Sequence, residues 1–177
     1  MTVWLRPSMG LSDEADFVIH MGTGDADLIL RGSVIPNYDK YRDILPGRET
    51  RGAFVVSTFA AIDGVTELDI LRAMKQNRFA RAPYGRLHDL VIHPTSMTAE
   101  GIPTRVMAVH FDIEIPGADW TPRSGTVDRI TADEEDELVD MLKPGLELIL
   151  GRFSPAPPRG GSDKRDIYPE LRQGGQR

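Results

Sequence analysis

His110, Asp112 and Glu114 stand at every second position of the stretch from Arg105 to Ile115, and that spacing limits what they could do. Successive side chains on a strand point to opposite faces. If the stretch is extended, the imidazole and the two carboxylates therefore form one row, and Met107, Val109, Phe111, Ile113 and Ile115 form the other. A histidine beside carboxylates is the minimum for general acid–base chemistry, or for a metal site of mixed nitrogen and oxygen donors. The row steps by roughly 6.6 Å, at about 3.3 Å rise per residue, so a single ion cannot take all three ligands. Two ligands from this strand and one from a neighbour is the realistic form, with His93 and His20, each closing an expected strand, as the natural donors. The plainer reading makes the polar row the solvated side of a half-buried strand. No other motif completes the row, and neither a metal nor a cofactor is expected.

Other chemistries find less support. Cysteine is absent, which excludes disulfides, thiolate zinc sites and cysteine nucleophiles together. The remaining hydroxyl candidates, Ser33, Ser57 and Thr58, lie in no Gly-x-Ser-x-Gly elbow, and spacing alone pairs none of them with a base. Gly22 and Gly24, between His20 and Asp25, lack a full phosphate-binding pattern and read as a tight turn. Arg31 in Leu-Arg-Gly, Ser57-Thr58 in Val-Ser-Thr-Phe and a later acidic group resemble, in order only, the arginine, serine and glutamate pattern of ADP-ribosyltransferases. In that family the catalytic glutamate belongs to a Glu-x-Glu loop before a strand. Glu135 and Glu137 instead fall at a helix start, so no site residue is carried over.

The elements that must position these groups are legible from periodicity and punctuation. Asp16 to Met21 predicts a first strand and Leu28 to Ile35 a second, paired as an antiparallel hairpin. Tyr38 to Leu45 reads as a short helical turn. Gly52 to Phe59 reads as a central strand because Phe54, Val55 and Val56 run on without a polar face. Thr66 with Asp69 is a capping box that opens a helix from 66 to 79. Leu87 to His93 and Arg105 to Ile115 supply the fourth and fifth strands. A second capping box, Thr131 with Glu134, opens a helix over 131 to 142 whose acidic run Asp133 to Glu137 suits the positive end of the helix dipole, and Pro144-Gly145 interrupts it. The expected fold is α+β: about five mostly antiparallel strands packed on one side by two or three helices, with an extended C-terminal tail.

Residues 1–153 read as one globular domain, and 154–177 as a proline- and glycine-rich linker followed by a docking tail, since Ser154 to Ser162 cannot sustain regular structure. Ile167, Tyr168 and Leu171, the only bulky apolar groups of the tail, are spaced as anchors for a groove. Arg72, Lys75 and Arg78, continued by Arg81 and Arg86, form the notable basic cluster and the second candidate partner surface, although solvated helix faces commonly look like this. The net charge of −6, together with five basic and three acidic residues from Ser154 onward, leaves an acidic body that disfavours a general nucleic-acid binder. The first ten residues show no secretory pattern and no apolar run is long enough to span a bilayer, so a cytoplasmic protein without a membrane partner is expected. The leading functional expectation is a non-catalytic interaction or assembly module that docks a protein partner or a second copy through the tail and the charged helix faces. The alternative is a small metal-assisted or acid–base enzyme, a hydrolase or nuclease-like toxin, using His110, Asp112, Glu114 and His93.

Overall fold

The structure, a computed structural model, describes residues 17–22, 24–44, 54–61, 66–87, 92–95, 106–113, 122–123, 125, 127, 130–153 and 161–175. An antiparallel sheet with helices gives the protein its α+β architecture. At its centre β1 (Phe17–Met21) lies between β2 (Val55–Ala61) and β3 (Arg78–Pro83). Beyond β2 come β5 (Val106–Asp112) and the edge strand β4 (Ile92–Thr95), and beyond β3 a two-residue strand β6 (Ser162–Asp163), in the order β4-β5-β2-β1-β3-β6.

Strand alternation sorts the sheet into two faces with separate cores. Val18, Val56, Ala60, Ala80, Ala82, Val109 and Phe111 belong to the larger core. Over this first face pack α1 (Ala26–Ile29), the π turn Leu30–Val34 that prolongs it, and the long helix α4 (Ala132–Leu150), which contributes Leu138, Leu142, Leu146 and Ile149. On the second face Ile19, Met21 and Phe79 are covered by Ile70 and Leu71 of α3 (Glu67–Ala73) and by the C-terminal segment. The helices thus divide between the two faces. The physical reason is connectivity: α3 links β2 to β3 across β1 on the side opposite α4. Helix α2 (Tyr38–Ile44) reaches both, with Tyr38 in the larger core and Tyr41 against Val55 on the second face.

Four expected elements are corrected. Leu28–Ile35 is not a strand but helix and π turn, and no hairpin follows β1. Ala26, Ile29, Leu30 and Val34 are buried while Leu28 is 62% exposed, which is helical spacing hidden inside an apolar run. The Asp25 carboxylate caps this helix by accepting from the Leu28 N–H at 3.2 Å. The helix opened by Thr66 stops at Ala73, and β3 occupies the end of the range expected to be helical, its inward positions filled by small alanines that leave little periodic signal. Leu87 closes a short 3-10 turn (Tyr84–Arg86) rather than opening the fourth strand, residues 88–91 lie outside the described residues, and the described strand Ile92–Thr95 includes Pro94, which an edge strand tolerates. Finally, α4 runs through Pro144 to Leu150, because the buried leucines on either side hold a helix that proline alone would break.

Both expected N-terminal caps form, in different ways. Thr66 and Asp69 make the full reciprocal box. At α4 the Thr131 hydroxyl accepts from Glu134 N, but the buried Glu134 carboxylate turns away to accept from Arg123 N at 3.0 Å, tying the preceding loop to the helix.

Candidate functional site

Strand pairing brings together two residues that are distant in sequence. Ser57 on β2 lies directly across from His110 on β5, and both side chains project from the second face. Ser57 Oγ is 3.0 Å from His110 Nδ1 and 3.0 Å from the Tyr41 hydroxyl delivered by α2. The Tyr41 and His110 rings lie 4.7 Å apart, tilted by 52°. His110 is only 4% exposed and Tyr41 9%, whereas Ser57 keeps partial exposure. The polar row is therefore not a solvated strand face at His110: Tyr41 of α2 packs against the ring, and the imidazole Nδ1 meets the Ser57 hydroxyl. Chemically, Ser57 joins a phenol to an imidazole, an arrangement that can pass a proton or activate a hydroxyl.

The other members of the expected acid–base set separate. Asp112 shares the face and strand of His110, half-buried opposite Val55. Glu114 lies outside the described residues, and for His93 only the backbone is described, paired directly with His110. His20 projects from the first face, its ring 6.2 Å from that of Phe153. The sheet stands between His20 and His110, so His20 cannot serve as the third donor. Among the described residues, no group of three or more histidines and carboxylates is placed to hold a metal ion. Arg31 is likewise on the far side from Ser57: it pairs with Glu135 and Asp136 at 2.8 Å each, so the arginine and serine of the ADP-ribosyltransferase order do not meet.

The C-terminal segment is a second candidate site, and it is seated on the protein's own second face. Gly161 enters with φ +83°, and a side chain there would run into the Phe79 carbonyl, so only glycine fits. Ser162 and Asp163 then add β6 to the edge of β3, opposite Phe79 and Arg78. Lys164 N donates to Asn77 O at 2.7 Å, while its ammonium, 7% exposed as a residue, donates to the carbonyls of Leu71 and Met74 at 2.8 and 2.7 Å. A cation there satisfies the carbonyl end of α3, although burial pushes the Lys164 amine below the ordinary lysine range. Asp163 caps the short helix α5 (Lys164–Ile167), and the Arg165 guanidinium and N–H hold its carboxyl far below the usual carboxylate range.

Of the three expected anchors, Tyr168 and Leu171 pack on the core of Ile19, Met21, Ile70, Leu71 and Phe79, and burial pushes the Tyr168 phenol up. Ile167 faces out, 51% exposed. The apolar groups expected to need another surface thus find one within the chain.

The basic cluster is dispersed. Arg78 donates to Gly161 O at 3.2 Å and Arg81 pairs with Glu67 at 2.7 Å, leaving Arg72 and Lys75 exposed on and just after α3. The acidic start of α4 is engaged by Arg31 and, at Glu137, by Arg123 at 3.5 Å. Among the described residues, no helix is long and apolar enough to cross a membrane. Comparison with known proteins finds no matching family model, no matching curated protein and no matching solved structure.

Proposed function

We propose that the protein is an interaction and assembly module whose docking element is the segment from Gly161 to Leu171, and that its partner is a second copy of the same chain. The observation that carries this reading is the manner in which the segment is held. It joins a sheet edge as an added strand, places one cation in a helix terminus and sets two anchors in an apolar groove, as a recognised peptide would. A second copy presents the identical ligand and the identical groove, and exchange of an element between protomers keeps every contact while adding a link between chains. The preceding residues from Ser154 to Gly160 hold three prolines in seven positions, a composition that suits a connector. Arg78, at the mouth of the groove, and the exposed Arg72 and Lys75 nearby supply the charged margin.

The lack of cysteine makes a direct test simple. Arg78 and Asp163 are register partners, so Arg78→Cys in one copy and Asp163→Cys in another can form a disulfide between chains only when the segment of one lies on the sheet of the other. Mixing the two variants under mild oxidation is expected to give a covalent heterodimer, and adding Gly161→Ala to the Asp163→Cys copy is expected to reduce its yield several-fold. If the double variant in one chain closes its own disulfide while the mixed variants stay monomeric, the exchange reading is wrong.

A further inference from the structure

We propose that Ser57 is an activated nucleophile, with His110 as its base and Tyr41 as the donor that stabilises its alkoxide, and that it takes the acyl group of an ester. A serine hydroxyl carries one proton and two acceptor lone pairs. With the proton given to a His110 Nδ1 that carries no hydrogen, a lone pair remains to accept the Tyr41 hydroxyl, so both 3.0 Å contacts are compatible with transfer from Ser57 to the imidazole. The exposure pattern matches that role. The base and the donor are nine-tenths or more covered, and Ser57 between them is the one member of the three that is not buried. A nucleophile and its base within hydrogen-bond reach, with the base held by its surroundings, is the geometry that nucleophilic catalysis needs. Here both sit on neighbouring strands of the sheet, so their spacing is fixed by backbone pairing rather than by a loop.

The steps balance. Ser57 Oγ attacks the ester carbonyl carbon as its proton passes to His110 Nδ1. The carbonyl–alkoxy bond then breaks and the departing alcohol takes that proton. Water, deprotonated by His110, attacks the acyl-serine, releasing the carboxylic acid and restoring the serine. The charged and titratable side chains carried by the elements around Ser57 and His110 are Tyr41 and Lys40 from α2, the latter's ammonium 5.5 Å from the Tyr41 ring, and Asp112 on the strand of His110.

The probe is an ethyl fluorophosphonate added to the full chain, read by intact mass and peptide mapping. One adduct on Ser57 is expected, absent in Ser57→Ala, at least tenfold slower in His110→Gln and several-fold slower in Tyr41→Phe. Because His110 is buried and its variant could unfold, the rate on the unaltered chain is also followed against pH. It is expected to rise through a single ionisation and then level off. The proposal is overturned if Ser57 stays unlabelled under conditions that fully label a serine hydrolase. It is equally overturned if labelling rises only with hydroxide concentration or is unchanged in a folded His110→Gln. A failure here leaves the disulfide exchange test untouched, since the two sites share no residue.

Discussion

Asp163 accepts hydrogen bonds from Arg165 through one N–H and two guanidinium nitrogens, and this keeps its carboxyl ionised to lower pH in the folded protein than in the unfolded chain. With the folded pKa below the unfolded value near 3.8, the unfolded state binds more protons in the acid range. The stabilisation is fully present above that value and is lost as pH falls below it towards the folded pKa. The stability difference between the native chain and Asp163→Asn is therefore expected to be constant from pH 7 to about 5 and to shrink below about 4, measured by urea unfolding at each pH. A difference that stays flat to pH 3 would show that the Arg165 contacts do not hold the carboxylate in solution. At His110 the same scale teaches a different lesson. Its place in a row of alternating polar residues was plain in the sequence, but its hydroxyl partner was not, because Ser57 lies 53 residues away and only the β2–β5 pairing unites them.

Among the elements, the caps were the most readable features and the apolar runs the least. Thr66 with Asp69 and Thr131 with Glu134 announce helix starts by a local rule that needs no tertiary partner, and both starts are found where the rule puts them. Leu28 to Leu30 and Val34-Ile35 fit strand and helix equally well, and the cap at Asp25 is the one local sign that favours the helix. Proline inside α4 shows packing overriding propensity. Pro144 is exposed and deprives the helix of one N–H, yet the helix continues on the strength of Leu142, Leu146, Ile149 and Leu150. Pro144→Ala is therefore expected to stabilise the protein by about 1–3 kcal/mol, seen as a higher urea midpoint with an unchanged slope. A neutral or destabilising result would mean that the local bend is needed for α4 to fit the first face.

For the molecule as a whole, the two cores predict two levels of stability. The first face carries the larger buried set, while the groove that holds residues 161–171 rests on one short edge pairing, one lysine and two anchors. Hydrogen exchange is expected to show amides of β6 and α5 opening at least tenfold more often than those of β1, β2 and β5, since opening the segment leaves the sheet intact. Equal protection throughout would make the segment part of the global folding unit and would count against its exchange between chains.

By itself the sequence determined the local matters: the α+β class, most strand positions, both marked caps and the absence of cysteine. Each follows from short-range chemistry, namely side-chain alternation, capping hydrogen bonds and composition. Only the tertiary structure decided which face each residue serves. Sheet order put His20 and Arg31 on one side and His110 and Ser57 on the other, and it turned Tyr168 and Leu171 inward onto Ile19 and Phe79. Those outcomes depend on contacts between residues far apart in the chain, and no spacing within a single segment encodes them.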